Sequence, residues 1–244
     1  RGAETSVALA DIRFTSRADG YVVGANSTAR STTDGGKTWA TMDVELSGEL
    51  SAVSFFNQTR GWIGGAFGQI SKTQDGAASW NRQAGGDQRS LNDIEFANDK
   101  DGWAVGRQGA ILKTGNGGTN WRSQESGTSE RLLAVTFTDA TTGWAVGADG
   151  AIRHTTNGGS DWEKQEAGIP DTITDITFHD GSTGWITAGS SLYQTTDGGR
   201  NWTRQTTPAS GQLQSLAFIG ADTGWAAGAR GTIVKTEDGG NSWT

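Results

Sequence analysis

Short runs of apolar residues alternate along the chain with glycine-rich polar turns, and the same order returns about every 41 residues. In residues 143–162 an apolar run ends at Gly147, a glycine-bearing turn follows, and a second run reaches Thr155. Two short runs separated by such a link indicate a β-hairpin. A second glycine turn then leads into Trp162 and a further strand. Each repeat is therefore predicted to be an antiparallel meander.

Aromatic residues mark the repeats in three columns. One column follows the second glycine turn and reads Trp39, Trp80, Trp121, Trp162, Trp202 and Trp243. Another opens the apolar run and reads Tyr21, Trp62, Trp103, Trp144, Trp185 and Trp225. The third ends a lead-in strand and reads Phe14, Phe55, Phe96, Phe137, Phe178 and Phe218. A period near 41 residues with four short strands per unit is typical of a propeller blade.

We therefore predict an all-β protein, a single six-bladed β-propeller of four-stranded antiparallel blades. The blades are centred on residues 8–48, 49–88, 89–129, 130–170, 171–210 and 211–244 together with 1–7. In the third blade the inner, second, third and outer strands are expected at Leu91–Ala97, Gly102–Val105, Ala110–Thr114 and Asn120–Gln124. A solenoid of the same period is the alternative, but it would need polar caps at both ends.

The two ends of the sequence instead read as complementary fragments of one repeat. Trp243-Thr244 followed by Arg1 imitates residues 202–204, so the repeat period continues from the last residue to the first. Pairing of the N-terminal segment, up to about Glu4, with the last blade would close the ring and remove the open sheet edges. We expect the propeller to be closed in this way.

Composition and charge narrow the range of functions. The formal net charge of −7 argues against a surface for nucleic acid, which requires clustered Lys and Arg. The absence of cysteine excludes disulfides, thiolate metal sites and cysteine nucleophiles. Without an apolar run of about 18 residues, no segment of this sequence is predicted to span a membrane.

The second glycine turn resembles the Asp-box, or BNR repeat, of sialidase-like propellers, with the pattern Ser/Thr-x-Asp-x-Gly-x-Thr-Trp. Its acidic or amide position is filled by Asp34, Asp75, Asn116, Asn157, Asp197 and Asp238. Asp or Asn can accept nearby backbone amides there, glycine supplies a positive φ, and the following Trp packs on the blade. We interpret the boxes and their tryptophans as structural, with no part in catalysis.

A longer consensus is more specific: Leu-x-x-Val-x-Phe, then Gly-Trp-Ala-Val-Gly, then the Asp-box. It resembles the family of the photosystem II stability/assembly factor and its bacterial relatives, and the resemblance covers the whole chain. The first repeat departs from it with Tyr21 in place of Trp. The resemblance implies a periplasmic, lumenal or extracellular propeller that binds a protein partner. It further implies a non-catalytic assembly or stabilising subunit of a membrane complex, such as a photosynthetic one.

Two other functions stay open. Repetitive propellers rich in Trp also bind glycans, and Phe67 is an aromatic residue outside the columns that could stack on a sugar. A sialidase-like glycoside hydrolase is the weaker alternative, because the Arg-Ile-Pro signature is missing and both tyrosines occupy repeat columns. His154 and His179 are read as solvated or partly packed residues.

Candidate binding residues follow from the predicted faces of the propeller. The second-to-third turns and the outer-to-inner loops share the face that varies between repeats, and the Asp-boxes share the other face. Variable loops on a rigid scaffold usually carry binding, and Arg and aromatic residues are enriched at interface hot spots. The predicted partner-binding set is Arg89, Arg107, Arg131, Arg230, Phe67, Gln108 and Asp149.

One inner-strand position is filled by a carboxylate in alternate repeats, at Asp11, Asp93 and Asp175. Three carboxylates that converge on a channel would repel one another unless a hard cation bridged them, so Ca²⁺ is the one cofactor candidate. The alternative is that each Asp accepts backbone amides of the adjacent blade.

Overall fold

Apolar runs and glycine turns fold each repeat into an antiparallel meander, in agreement with the prediction. The structure is a computed structural model and describes residues 6–244. It divides into two units, residues 1–124 and 125–244, and each unit holds three of the six sheets. The fold is all-β, a six-bladed β-propeller. The predicted closure by the segment up to Glu4 involves residues outside the described part of the chain and stays a prediction.

The strands lie close to the predicted positions. The inner strands are Leu9–Phe14, Leu50–Phe55, Leu91–Phe96, Leu132–Phe137, Ile173–Phe178 and Leu213–Ile219. The second strands are Gly20–Gly24, Gly61–Gly65, Gly102–Gly106, Gly143–Gly147, Gly184–Ala188 and Thr223–Gly228. The third strands are Thr28–Thr32, Ile70–Thr73, Ile111–Thr114, Ile152–Thr155, Ser191–Thr195 and Ile233–Thr236.

The outer strands are shorter than predicted: Ala40–Thr41, Asn81–Arg82, Arg122–Gln124, Glu163–Lys164 and Thr203–Arg204. In the sixth blade the described sheet has three strands. Thr244 nevertheless pairs with Lys235 through two backbone hydrogen bonds of 2.8 and 2.9 Å, which is the pairing that an outer strand makes. Single turns of 3₁₀ type join second and third strands at Ala66–Gly68, Arg107–Gly109, Ala148–Gly150 and Ala229–Gly231.

An aromatic stack joins neighbouring blades within each unit. Phe96 lies parallel to Trp62 of the preceding blade, with ring centroids 3.4 Å apart, and it forms an edge-to-face pair with Trp121 of its own Asp-box, with centroids 5.8 Å apart. The ring of Phe96 also lies against Gly102, where a Cβ would come within 2.5 Å of it. This close approach explains why glycine precedes the column tryptophan.

The same parallel stack recurs at the other blade junctions inside the units. The centroids are 4.0 Å apart for Tyr21 and Phe55 and 3.6 Å for Trp144 and Phe178. They are 3.9 Å apart for Trp185 and Phe218. Buried aromatic pairs in such geometry contribute about 0.5–1.5 kcal/mol beyond the area they bury.

In every inner strand the pairing register with the second strand shifts between the first residue of the strand and the residue two positions later. In blade 2 the shift lies between Leu50 and Ala52, and in blade 5 between Ile173 and Asp175. A bulge re-aims the side chain of the extra residue. The hydroxyl of Ser51 thereby donates to the carbonyl oxygen of Leu91 in the next blade, at 2.6 Å.

The Asp-boxes are closed by side-chain bonds within eight residues. In blade 2 the hydroxyl of Thr73 donates to Oδ1 of Asp75 at 2.8 Å and accepts the amide of Ala77 at 2.9 Å. Asp75 also accepts the amide and the hydroxyl of Ser79. These bonds assign the boxes a structural role.

These hydroxyl and amide donors lower the pKa of Asp34, Asp75 and Asp238 from 3.8 to about 2. A carboxylate whose pKa is lower in the folded chain stabilises the fold above its unfolded pKa and loses that contribution as the pH falls. We therefore expect the melting temperature to drop between about pH 5 and pH 2.

Asp75→Asn should reduce that acid-induced drop in melting temperature, because the neutral amide of Asn does not titrate in this pH range. The matched control is Asn116→Asp, which introduces a titrating group into a natural amide box and should enlarge the drop. Circular dichroism melts over the pH series measure both effects. A drop of equal size in all three proteins would contradict the prediction.

Candidate protein-binding surface

Backbone hydrogen bonds fix the two ends of each blade. In blade 3 the Asp-box amide of Gly117 donates to the carbonyl of Lys100, in the inner-to-second turn, at 2.8 Å. At the opposite end the amide of Arg107 donates to the carbonyl of Ser90, in the loop before the inner strand, at 2.9 Å. The second-to-third turn and the outer-to-inner loop therefore share one end of the blade, as the sequence predicted.

Four of the predicted binding residues occupy the same strained position. Phe67, Gln108, Asp149 and Arg230 are the central residues of the second-to-third turns, with φ of 58°, 53°, 52° and 61°. Left-handed backbone costs a non-glycine residue roughly 1–2 kcal/mol, and a bulky side chain there is uncommon. Strain of this kind is concentrated at functional sites.

Among the large hydrophobic residues described in the first unit, Phe67 is the most exposed, with 64% of the residue open to solvent. A Cβ at Gly48 would lie 3.4 Å from its ring, so the outer-to-inner loop passes close beside the ring. An exposed aromatic residue on a turn held against a loop is suited to packing on a partner.

The side chain of Arg89 is held by hydrogen bonds. Its partner Asp87 was not among the predicted residues. Its Nε donates to Oδ2 of Asp87 at 2.7 Å, and its Nη1 donates to the carbonyl of Gln108 at 2.8 Å. The Arg89 guanidinium is the main cause that lowers the pKa of Asp87. Arg89 thus braces the loop against the turn, while the neighbouring Arg107 is exposed.

In the second unit, the turns place Asp149 and Arg230 at exposed tips. The carbonyl of Arg131 accepts the amide of Ala148 at 2.8 Å, so this Arg lies at the same end of blade 4 as Asp149. Among the described residues, neither Arg107 nor Arg230 forms an ion pair. Both are available cations on a chain of net negative charge.

Arg153 is a buried residue that sequence reasoning missed. Its Nε donates to the carbonyl of Ser126 at 2.9 Å and its Nη2 to that of Gly127 at 3.0 Å. Burial lowers the pKa of the guanidinium. Arg153 therefore fixes the loop that leads to Arg131.

The inner-strand carboxylates accept backbone amides. Asp11 accepts the amide of Val53 in the next blade, at 2.8 Å, as well as that of Ile12. Asp175 makes the equivalent pair of bonds, with the amide of Leu216 at 2.8 Å. Burial raises the pKa of Asp11, and the two amides only partly offset that effect.

These oxygens fit the amide-accepting alternative better than a calcium site. Within residues 6–244, no group of three or more His, Asp or Glu side chains is arranged to hold a metal ion. The calcium hypothesis for Asp11, Asp93 and Asp175 stays a prediction that a melt can test. We expect millimolar Ca²⁺ to leave the melting temperature unchanged, whereas a rise that Asp93→Asn abolishes would establish a cation site.

Asp-box blades with strained, variable turn tips define a β-propeller scaffold that presents loops at one end of each blade. A protein-family model matches this chain over residues 2–88, 86–216 and 161–244. The family is described as Photosynthesis system II assembly factor YCF48. The chain belongs to this family. Comparison with curated proteins yields no match. The part of the chain that the structure describes has no helix long and apolar enough to cross a membrane.

Solved structures share the fold. YCF48 bound to a D1 peptide is 23% identical, with a TM-score of 0.80, and the match covers 100% of this chain and 82% of that chain. YCF48 from Cyanidioschyzon merolae is 22% identical, with a TM-score of 0.53, over 96% of this chain and 97% of that one. An ancestral GH74 enzyme is 15% identical, with a TM-score of 0.76, and the match covers 93% of this chain and 36% of that chain.

Phe67→Gly tests whether the turn aromatic serves binding rather than stability. Glycine adopts the left-handed backbone without strain, so the free energy of unfolding should stay unchanged or rise by up to about 1 kcal/mol. The control Phe96→Ala removes a buried ring of the interblade stack and should cost about 3–5 kcal/mol. Urea denaturation measures both variants. A clear loss of stability in Phe67→Gly would show that this ring supports the fold.

Proposed function

We propose that this protein is a non-catalytic interaction propeller that assembles or stabilises a membrane complex by binding one of its polypeptides. The family match over the whole chain is the observation that carries the proposal. Its working surface would be the second-to-third turns and the adjoining loops. We further propose that it works outside the cytoplasm, in the periplasm, a lumen or the extracellular space, and meets the membrane through its partner.

The surface suits a polypeptide segment. YCF48 has been solved with a D1 peptide, and we propose that this chain binds a membrane-protein segment in the same general manner. Phe67 supplies an exposed apolar contact, while Arg107 and Arg230 supply cations. A partner segment with carboxylates beside an apolar or aromatic side chain would match these groups.

Catalysis is disfavoured because two titratable groups with shifted pKa values, His154 and Asp11, are packed or hydrogen-bonded within the fold. His154 stacks on Trp144, with ring centroids 4.9 Å apart, and burial is the main cause that lowers its pKa. The carboxylate of Asp11, whose pKa is raised, is occupied by two amides. Likeness to a GH74 enzyme extends to the fold only, so we propose that the chain is not an enzyme.

Glycan binding is the second candidate, and the exposure of Phe67 is the observation that favours it. A ring face open to solvent can stack on a sugar as readily as on a peptide side chain. Binding on a glycan array that Phe67→Ala removes would support this function over the first.

The proposed function predicts which substitutions weaken binding. Arg107→Glu and Phe67→Ser change exposed residues of one turn surface, so each should weaken association at least tenfold and leave the fold intact. Lys37→Glu is the matched control, because it reverses an exposed charge in an Asp-box. Titration calorimetry with the D1 peptide measures affinity, and pull-down from native membranes identifies other partners.

Two results would contradict this assignment. Loss of binding in Lys37→Glu alone would place the interface on the Asp-box end of the blades. A hydrolase activity that a single carboxylate substitution removes would overturn the non-catalytic class. Affinity that falls with added salt is expected in addition, because exposed Arg contacts are screened.

A further inference from the structure

Blade 3 carries a polar cleft beside its Asp-box, formed by the third strand, the box and the outer strand. The cleft has a volume of about 460 Å³, and Lys113, Asn116, Asn120, Arg122 and Ser123 are among the residues that line it. Residues 113–124 contain no Asp or Glu, whereas the same stretch of each of the other five repeats contains at least one. On a chain of net charge −7, this stretch is therefore set apart by its charge.

Two cations lie opposite each other in this cleft. Lys113 and Arg122 are directly paired residues of the third and outer strands. Lys113 is half-buried and extends over the ring of Trp103, with Nζ 5.4 Å from the ring centroid, while Arg122 is exposed. Among residues 6–244, neither cation forms an ion pair. Like charges directly opposite each other destabilise a strand pair, and an anion bound between them would remove that repulsion.

The Asp-box of blade 3 adds a donor at a place where other boxes have an acceptor. In blade 2, Oδ1 of Asp75 closes the box and its Oδ2 accepts the hydroxyl of Ser79. In blade 3, Oδ1 of Asn116 closes the box by accepting the hydroxyl of Thr114 and the amide of Asn120. The Nδ2 group of Asn116 therefore replaces a carboxylate oxygen. In the described part of the chain, neither Nδ2 of Asn116 nor the side chain of Asn120 has a hydrogen-bond partner.

Blade 4 has a cleft at the same place with a different charge. Its volume is about 350 Å³, and His154, Asn157, Asp161 and Glu163 line it at the equivalent positions. There Nδ2 of Asn157 donates to Oδ2 of Asp161 at 2.9 Å, and His154 is paired with Glu163 across the strands. The backbone of the cleft thus recurs in the repeat, and the side chains decide what each cleft can bind.

Two carboxylates lie near the cleft of blade 3, but neither pairs with its cations. Asp101 lies close to Gly115, and its Oδ2 accepts Nδ2 of Asn98 at 3.0 Å. Glu95 belongs to the same cross-strand row, in which Trp103 stands between it and Lys113. The described carboxylates therefore leave the two cations of the cleft to an external ligand.

We propose that the cleft of blade 3 binds a doubly charged tetrahedral oxyanion, phosphate or sulfate, either free or as the end group of a small molecule. The planar guanidinium of Arg122 can donate to two oxygens in parallel, and the ammonium of Lys113 supplies the second positive charge. The amides of Asn116 and Asn120 donate to the remaining oxygens. A carboxylate has two oxygens and one charge, so it satisfies fewer of these donors.

NMR titration of the isotope-labelled full chain tests the site. Sodium phosphate, phenyl phosphate and sodium acetate are added separately at neutral pH, with the ionic strength held constant by sodium chloride. Phosphate should shift the amide signals of residues 113–124 in a saturable way, and acetate should bind at least about tenfold more weakly. Binding of phosphate but not of phenyl phosphate would identify a free ion as the ligand. Equal or tighter binding of phenyl phosphate would identify the end group of a small molecule.

Matched variants identify the donors. Lys113→Gln and Arg122→Gln should each weaken phosphate binding at least about tenfold, because each removes a charged donor. Asn116→Asp should abolish binding, since it returns a carboxylate to the box. Lys235→Gln is the control, because Lys235 extends over Trp225 at the same place in blade 6 but pairs with Glu237. This control should bind phosphate as tightly as the unchanged chain.

A transplant into blade 4 tests the proposal without relying on loss of binding. His154→Lys, Asp161→Asn and Glu163→Arg together give blade 4 the side chains of the blade 3 cleft and should create a second phosphate site. Low-millimolar phosphate should also raise the melting temperature of the unchanged chain more than that of Arg122→Gln, because a ligand that binds the folded chain stabilises it. General effects of the salt are common to both proteins.

Three results would overturn the proposal. The first is a phosphate titration in which the signals of residues 113–124 show no saturable shift. The second is phosphate binding that Lys113→Gln and Arg122→Gln leave unchanged, which would place the anion elsewhere. The third is acetate binding as tight as that of phosphate, which would show that the cleft does not select a doubly charged oxyanion.

Discussion

The parallel stack between a tryptophan of one blade and a phenylalanine of the next is the interaction on which the rest of this structure depends. Phe96 is only 8% exposed, because Trp62 stacks on its ring and the backbone of Gly102 lies close against it. Any side chain at Gly102 would displace the ring, and a smaller residue at Phe96 would leave a cavity. The consensus residues Phe, Gly and Trp are therefore one packing unit spread over two blades.

Much of the architecture could be predicted because it follows from local chemistry. The strands, the Asp-boxes and the ends of the blades depend on turn residues and on period-41 columns visible in the sequence. The bulge after Leu50 could not be predicted, since an extra residue in a strand leaves the apolar alternation almost unchanged. Exposure was equally hidden: Phe14 and Phe96 have the same place in the repeat, but Phe14 is 43% exposed and Phe96 is 8% exposed.

The candidate site shows the same limit at the level of single side chains. The turn tips were selected because they vary between repeats, and the left-handed backbone of Phe67 is visible only in the path of the turn. Arg89, which was predicted as a contact residue, also donates to Asp87 and thereby braces the loop. Which carboxylate pairs with which Arg depends on how a loop folds back. The amino-acid composition does not determine this path of the loop.

The Asp-boxes also have a consequence for the order in which this chain can fold. The box bonds of Asp75 span at most four residues, and the stack from Trp62 to Phe96 joins segments only 34 residues apart. Contacts of such short range close quickly, so each Asp-box can form within its own blade and each interblade stack can form once the next inner strand has been synthesised. A nascent chain could therefore add finished blades one after another, each templated by the exposed aromatic face of its predecessor.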